Sequence, residues 1–182
     1  LGYLPQDVAL LDGTIEENIS RLSSQADPDA VVKAAKAAGV HDMIVHMPDG
    51  YQTEVGTQGA TLSAGQRQRI GLARAMFNDP FVVVMDEPNS NLDSEGEQAL
   101  NEAIRAVKSR GGIVIMVAHR PSALAAVDFL AVIQQGKMIA YGLKDDILGR
   151  GQNQSQNQNQ NQNLEAPQPK PAMATTIPFP GK

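Results

Sequence analysis

The chain has 182 residues, of which 42% are hydrophobic and only 4% aromatic; it carries a formal net charge of −5 and contains no cysteine. That is enough for one domain whose core rests on Val, Ile, Leu, Met and Ala. The acidic balance gives no electrostatic case for nucleic acid as a partner, and the absence of cysteine excludes disulfides, thiolate catalysis and Cys-based metal sites.

No secretory leader opens the chain. Its longest apolar run, Ile113 to Ala118, is too short to cross a bilayer. The first residue is Leu1 and the pattern is already under way there, so the sequence reads as the back part of a longer protein. Leu1 to Gln6 reads as a short strand stopped by Pro5, which fixes its own φ and restricts Leu4. After the Asp12-Gly13 turn, Thr14 and Glu17 have the spacing of a capping box, and Ile15 and Ile19 share one helix face. Asp27-Pro28 is a cap followed by proline at the first helical position, and Gly39 is a natural stop. His41 to Met47 reads as a further helix. The stretch from about 14 to 77 is thus expected to form a helical subdomain.

The motif Leu62-Ser63-Ala64-Gly65-Gln66-Arg67-Gln68-Arg69 opens the next helix. Ser63 and Gln66 again have capping-box spacing. The first amides of a helix lack intrahelical partners and carry partial positive charge, so an anion such as phosphate fits there, and Gly65 permits close approach to the backbone. Ile70, Ala73, Met76 and Phe77 supply a buried stripe, and Asn78-Asp79-Pro80 ends the helix. For Arg67 and Arg69 the expectation is a solvated, charged helix face.

Phe81 to Met85 is a continuous apolar run of the kind found in a strand buried on both faces, and it leads into Asp86-Glu87. Ser94 and Glu97 are expected to cap a helix closed by Gly111-Gly112. Ile113 to Ala118 is a second buried strand, ending at His119. A short helix over 122–127, a hairpin from Phe129 to Tyr141 turning at Gln135-Gly136, and a last helix over 144–148 follow. Alternating strands and helices predict an α/β domain with parallel central strands, whose chemistry lies beyond the carboxyl ends of the strands. Asp86, Glu87 and His119 occupy such ends. An aspartate there can hold magnesium, and a neighbouring glutamate can activate a water. His41 and His46 lack a metal-ligand pattern, and Tyr3 is expected to pack within its strand. From Gln152 to Asn163 the chain is almost pure Gln and Asn, then proline-rich, and residues 151–182 are expected to be a disordered tail.

The order of LSAGQ, an apolar strand, Asp86-Glu87-Pro88, Ser90-Asn91-Leu92-Asp93 and a strand-terminal His119 resembles ATP-binding-cassette (ABC) ATPases over residues 1–150. The resemblance implies a P-loop NTPase-like α/β fold and a homodimer sharing ATP and magnesium between two ATPase domains. It makes Gln6 the Q-loop glutamine, a magnesium and water contact, and Asp86 the Walker B magnesium aspartate. Glu87 becomes the catalytic base and His119 the γ-phosphate contact. Ser63, Ala64, Gly65 and Gln66 become signature residues reaching the γ-phosphate bound by the partner, and Asp93 the D-loop aspartate at the dimer interface. Gln6-Asp7, Gly13 to Ile19, and the residues around Asp86 and His119 are most similar to bacterial type I secretion ATPases of the protease-exporter branch. That likeness implies a transmembrane domain, a membrane-fusion protein, an outer-membrane channel and a secreted protein as partners, at the cytoplasmic face of the inner membrane.

Two departures stand out. Thr57 and Gln58 occupy a loop where many exporters carry glutamate. No G-x-x-x-x-G-K-[ST] occurs in the 182 residues, so the phosphate-cradling loop is expected upstream of Gln6. The ATPase domain is therefore read as incomplete, its Walker A portion absent. Alternatives are a truncated module that dimerises or docks without turnover, and an exporter of lipid or drug.

Overall fold

A computed structural model describes residues 1–119 and 121–149. The Gln/Asn- and Pro-rich tail lies outside the described residues. The chain divides into two compact units, Leu1–Val127 and Asp128–Lys182.

In the first unit three parallel strands form a sheet, β1 (Gly2–Leu4), β2 (Val82–Asp86) and β3 (Ile113–Val117), with β2 in the centre. Leu4 pairs with Met85, and Asp86 with Val117, so all three strands end on the same side. Between β1 and β2 run α1 (Ile15–Ile19), α2 (Pro28–Ala37), α3 (His41–Val45) and α4 (Ala64–Met76); α5 (Ser94–Ser109) crosses from β2 to β3. Helix α4 packs on β1 and α5 on β3.

The expected caps of α1 and α2 form. The Thr14 side chain accepts from the Glu17 amide while the Glu17 carboxylate accepts from the Thr14 amide, and Asp27 accepts from the Asp29 amide. Asn78 and Asp79 adopt φ of 60° and 48° after α4; such short polar side chains tolerate the left-handed region better than most. One expected cap is displaced: Asp93, not Ser94, is the N-cap of α5, because its carboxylate reaches the Gly96 amide.

The strands are buried on one face only. Leu4, Val83 and Met85 are fully buried within a continuous core that includes Ile15, Ile19, Ile44, Ile70, Leu72 and Ile104. On the opposite face Tyr3, Ile113, Ile115 and Val117 are each about half exposed, at 54%, 49%, 53% and 50%. The apolar runs predicted burial on both sides, and for Tyr3 packing within its strand. Among the described residues of this unit the helices cover one side of the sheet, which is why the alternate side chains stay open.

In the second unit β4 (Phe129–Gln134) and β5 (Lys137–Leu143) form the expected hairpin. Gln135 and Gly136 both have positive φ, 49° and 73°, as a two-residue turn matched to strand twist requires. The rings of Phe129 and Tyr141 stack across the hairpin with centroids 6.1 Å apart. A short helix occupies 144–149. No helix among the described residues is long and apolar enough to cross a membrane.

Candidate functional site

Parallel register brings three strand ends side by side, and Glu87 stands in the middle. The Gln6 amide, two residues beyond β1, donates to Glu87 Oε2 at 3.1 Å. His119, two residues beyond β3, places Nε2 3.2 Å from Glu87 Oε1. One carboxylate is therefore held from both sides by residues separated widely in sequence. Its backbone is held too: the Glu87 amide donates to the Val117 carbonyl at 2.9 Å, and the Ser90 amide to the Glu87 carbonyl at 3.1 Å. Glu87 turns off the strand with φ of +42°. For a long unbranched side chain this left-handed conformation is unfavourable and persists only where surrounding bonds impose it.

Asp86 ends β2 half-buried. None of the hydrogen bonds or ion pairs among the described residues involves its carboxylate. Nor does any group of three His, Asp or Glu side chains there form a closed metal cage. One open carboxylate fits a magnesium ion that takes its remaining ligands from water and phosphate.

The second group of expected site residues gathers at the start of α4. Ser63 and Gln66 make the expected capping box, the Gln66 amide donating to Ser63 Oγ at 3.2 Å and the Ser63 amide to Gln66 Oε1 at 2.8 Å. Ala64 is the first helical residue. A β-carbon on Gly65 would meet the Asn91 carbonyl at 3.2 Å, so the close approach this glycine allows is taken by the loop between β2 and α5. Ser63, Gly65, Gln66 and Asp93 line an open concavity of about 620 Å³ together with His46. Asp93 accepts from the Gly96 amide and from Arg69, and its carboxyl is held below the usual carboxylate range by the first contact and then by the second.

The solvated role expected of Arg67 and Arg69 does not hold. The Arg69 side chain is 13% exposed and pairs with Asp93 and Glu95. Arg67 donates to the Leu62 carbonyl at 2.6 Å, bracing the turn at the start of the motif. In the preceding loop Gln58 has φ of 55°, and its amide donates to Asp12. His41 Nδ1 lies 2.9 Å from the Tyr51 hydroxyl.

Sequence reasoning missed Gln68. It is 2% exposed, and its amide donates to the Pro88 carbonyl at 3.2 Å. A signal was present: Gln68, Leu72 and Ala75 fall at i, i+4 and i+7, which places a primary amide in an apolar stripe.

Residues 1–90 match the ABC transporter family model. The chain belongs to the ABC transporter family, and its fold is the mixed α/β fold of an ABC exporter nucleotide-binding domain. It is 62% identical over 150 residues to the type I secretion system ATP-binding protein PrsD of Rhizobium meliloti (strain 1021), covering 82% of this chain and 26% of that protein. It is 39% identical over 148 residues to ABC transporter B family member 15 of Arabidopsis thaliana, covering 81% of this chain and 12% of that one. Among solved structures it resembles a bacterial Atm1-family ABC exporter with ATP bound, with a TM-score of 0.75 and 38% identity, over 82% of this chain and 26% of the other. The chain thus spans about a quarter or less of these relatives.

Proposed function

We propose that this chain is the C-terminal part of the ATPase domain of a type I secretion exporter, which binds and hydrolyses ATP to drive protein export. The observation that carries the reading is the convergence of Gln6, Glu87 and His119 at the ends of three adjacent parallel strands. Hydrolysis of a phosphoanhydride needs an oriented water and donors aimed at the transferred group. Glu87, fixed from both sides, orients the water and takes its proton. His119 is largely exposed, at 76%, and can turn toward a γ-phosphate. Asp86, with the amide oxygen of Gln6, would hold magnesium, which when bound neutralises phosphate charge.

The start of α4 serves a second site. Ser63, Ala64, Gly65 and Gln66 present a capped helix end to an open concavity, a suitable contact for the γ-phosphate held by a second ATPase domain. Asp93, which lines the same concavity, belongs to that dimer interface. The 62% identity to a type I secretion protein, against 38–39% to exporters of other branches, favours protein as cargo. A transmembrane domain, a membrane-fusion protein and an outer-membrane channel complete the assembly, with this domain at the cytoplasmic face of the inner membrane.

Three experiments test this. In the purified full-length exporter, Glu87→Gln should retain ATP binding and slow hydrolysis by about 100-fold or more; hydrolysis at the wild-type rate would remove Glu87 as the base. The 182-residue chain alone, which contains no G-x-x-x-x-G-K-[ST] loop, should show no turnover. In cells, deleting the gene should abolish release of a specific protein into the medium, restored by wild type but not by Glu87→Gln. An unchanged set of secreted proteins would argue for another cargo.

A further inference from the structure

We infer that Gln68 and Arg69, neighbours on α4, are positioning residues that make the segment from Glu87 to Asp93 move with the start of that helix. The inference rests on the reading of Glu87 as the residue that orients the attacking water.

The loop between β2 and α5 touches α4 at its beginning, middle and end. At its beginning, the Gln68 amide donates to the Pro88 carbonyl at 3.2 Å in a buried setting. A primary amide that is 2% exposed is unfavourable unless it is bonded, so this contact is strongly determined. In the middle, the Asn91 carbonyl lies against Gly65. At the end, Arg69 Nη2 reaches Asp93 Oδ1 at 2.9 Å and Oδ2 at 3.1 Å, while Nη1 lies 3.5 Å from Glu95. Asp93 in turn caps α5.

Pro88 directly follows Glu87, whose φ is +42°. Relaxation of that strained residue toward ordinary backbone would swing the Pro88 carbonyl, and the Gln68 amide opposes the swing. The capped turn of Ser63 and Gln66 belongs to the same helix of 13 residues. A displacement of the helix start by an anion is therefore delivered to both ends of the loop at once, and through Pro88 to the Glu87 carboxylate. Gln68 and Arg69 touch no reacting atom; they act through Glu87 and Asp93.

Steady-state ATPase kinetics and amide exchange on the full-length exporter test the inference. Gln68→Met keeps the length of the side chain and removes the donor. Arg69→Lys keeps the charge and removes the two-point grip on Asp93. Each should lower kcat by about 10- to 100-fold, the scale of a small misplacement near the chemistry, with KM for ATP changed less than about twofold. Amides of 89–93 should exchange faster in both. The double variant should lose less than the product of the two, because both hold one loop. Wild-type kcat in either variant, or unaltered exchange over 89–93, overturns the inference. Should Gln68→Met not fold, the milder Arg69→Lys decides alone. Wild type and Glu87→Gln in the same assay separate the two readings: if Glu87→Gln turns over normally, the role of Glu87 fails, and the exchange data still decide whether the loop is tethered.

Discussion

A β-carbon on Gly2 would sit 2.1 Å from the carbonyl oxygen of Ala75, a backbone atom of α4. Strand β1 and helix α4 thus approach as closely as two backbones can where no side chain intervenes. Gly2→Ala must push the helix off the sheet, and overpacking of this kind costs about 1–3 kcal/mol. Chemical denaturation should read that loss. Gly149→Ala is the control, since no described residue lies within 4 Å of a β-carbon there, and it should stay within about 0.5 kcal/mol of wild type.

Asn18 is a buried clasp. Its side chain accepts from the Leu11 amide at 2.8 Å and donates to the carbonyls of Leu11 and Thr14 at 2.8 and 3.0 Å, with no exposure to solvent. Replacing it with Ala leaves the Leu11 groups without these partners, at about 1–3 kcal/mol. Limited proteolysis should cut the 7–14 segment faster in Asn18→Ala; equal cutting rates would show that the clasp does not hold it.

The pH dependence at Asp93 has a definite sign. Its folded pKa lies below the ordinary 3.8, first through the Gly96 amide and then through Arg69. The associated stability is therefore fully present above the ordinary value and is lost as pH falls through the depressed one. Asn is also a good cap, so Asp93→Asn should keep α5 capped while weakening the hold of Arg69. The variant should lose less stability than wild type between pH 5 and pH 2, measured by thermal unfolding at each pH.

At the alkaline end the informative group is Tyr51, whose hydroxyl is pushed up to about 12 by burial. Raised above the ordinary 10.0, it adds stability that is complete below pH 10 and disappears as pH climbs toward 12. Tyr51→Phe should remove this component. A difference spectrum between wild type and variant should show no phenolate from Tyr51 at pH 10.5; full ionisation there would contradict its burial.

The local chemistry of the elements was readable from the chain. Thr14 with Glu17, Ser63 with Gln66, and Asp27 with Pro28 announced their helices, because a cap needs only residues a few positions apart. The order of strand ends at Asp86 and His119 was also readable. The face open at Ile113, Ile115 and Val117 was not, because an apolar run records what a strand is suited to meet, not what covers it. The sites of Arg69 and Gln68 were hidden for a related reason. Their partners, Asp93 and Pro88, lie beyond the intervening strand, and only the packing of α4 against that loop makes a surface-looking arginine and glutamine into internal ties. The choice between Asp93 and Ser94 as cap turned on a single residue of register, finer than sequence pattern resolves.

At Glu87 the backbone and the side chain make opposite demands on one position. A φ of +42° suits glycine or asparagine, whereas reaching both Gln6 and His119 takes a carboxylate carried on two methylenes. Glu87→Gly should therefore relax the turn and raise the melting temperature while leaving Gln6 and His119 nothing to hold. With Glu87 in the proposed role of base, selection for a more robust fold and selection for turnover would choose different residues at this codon, and screens that reward thermostability alone would tend to recover inert variants here.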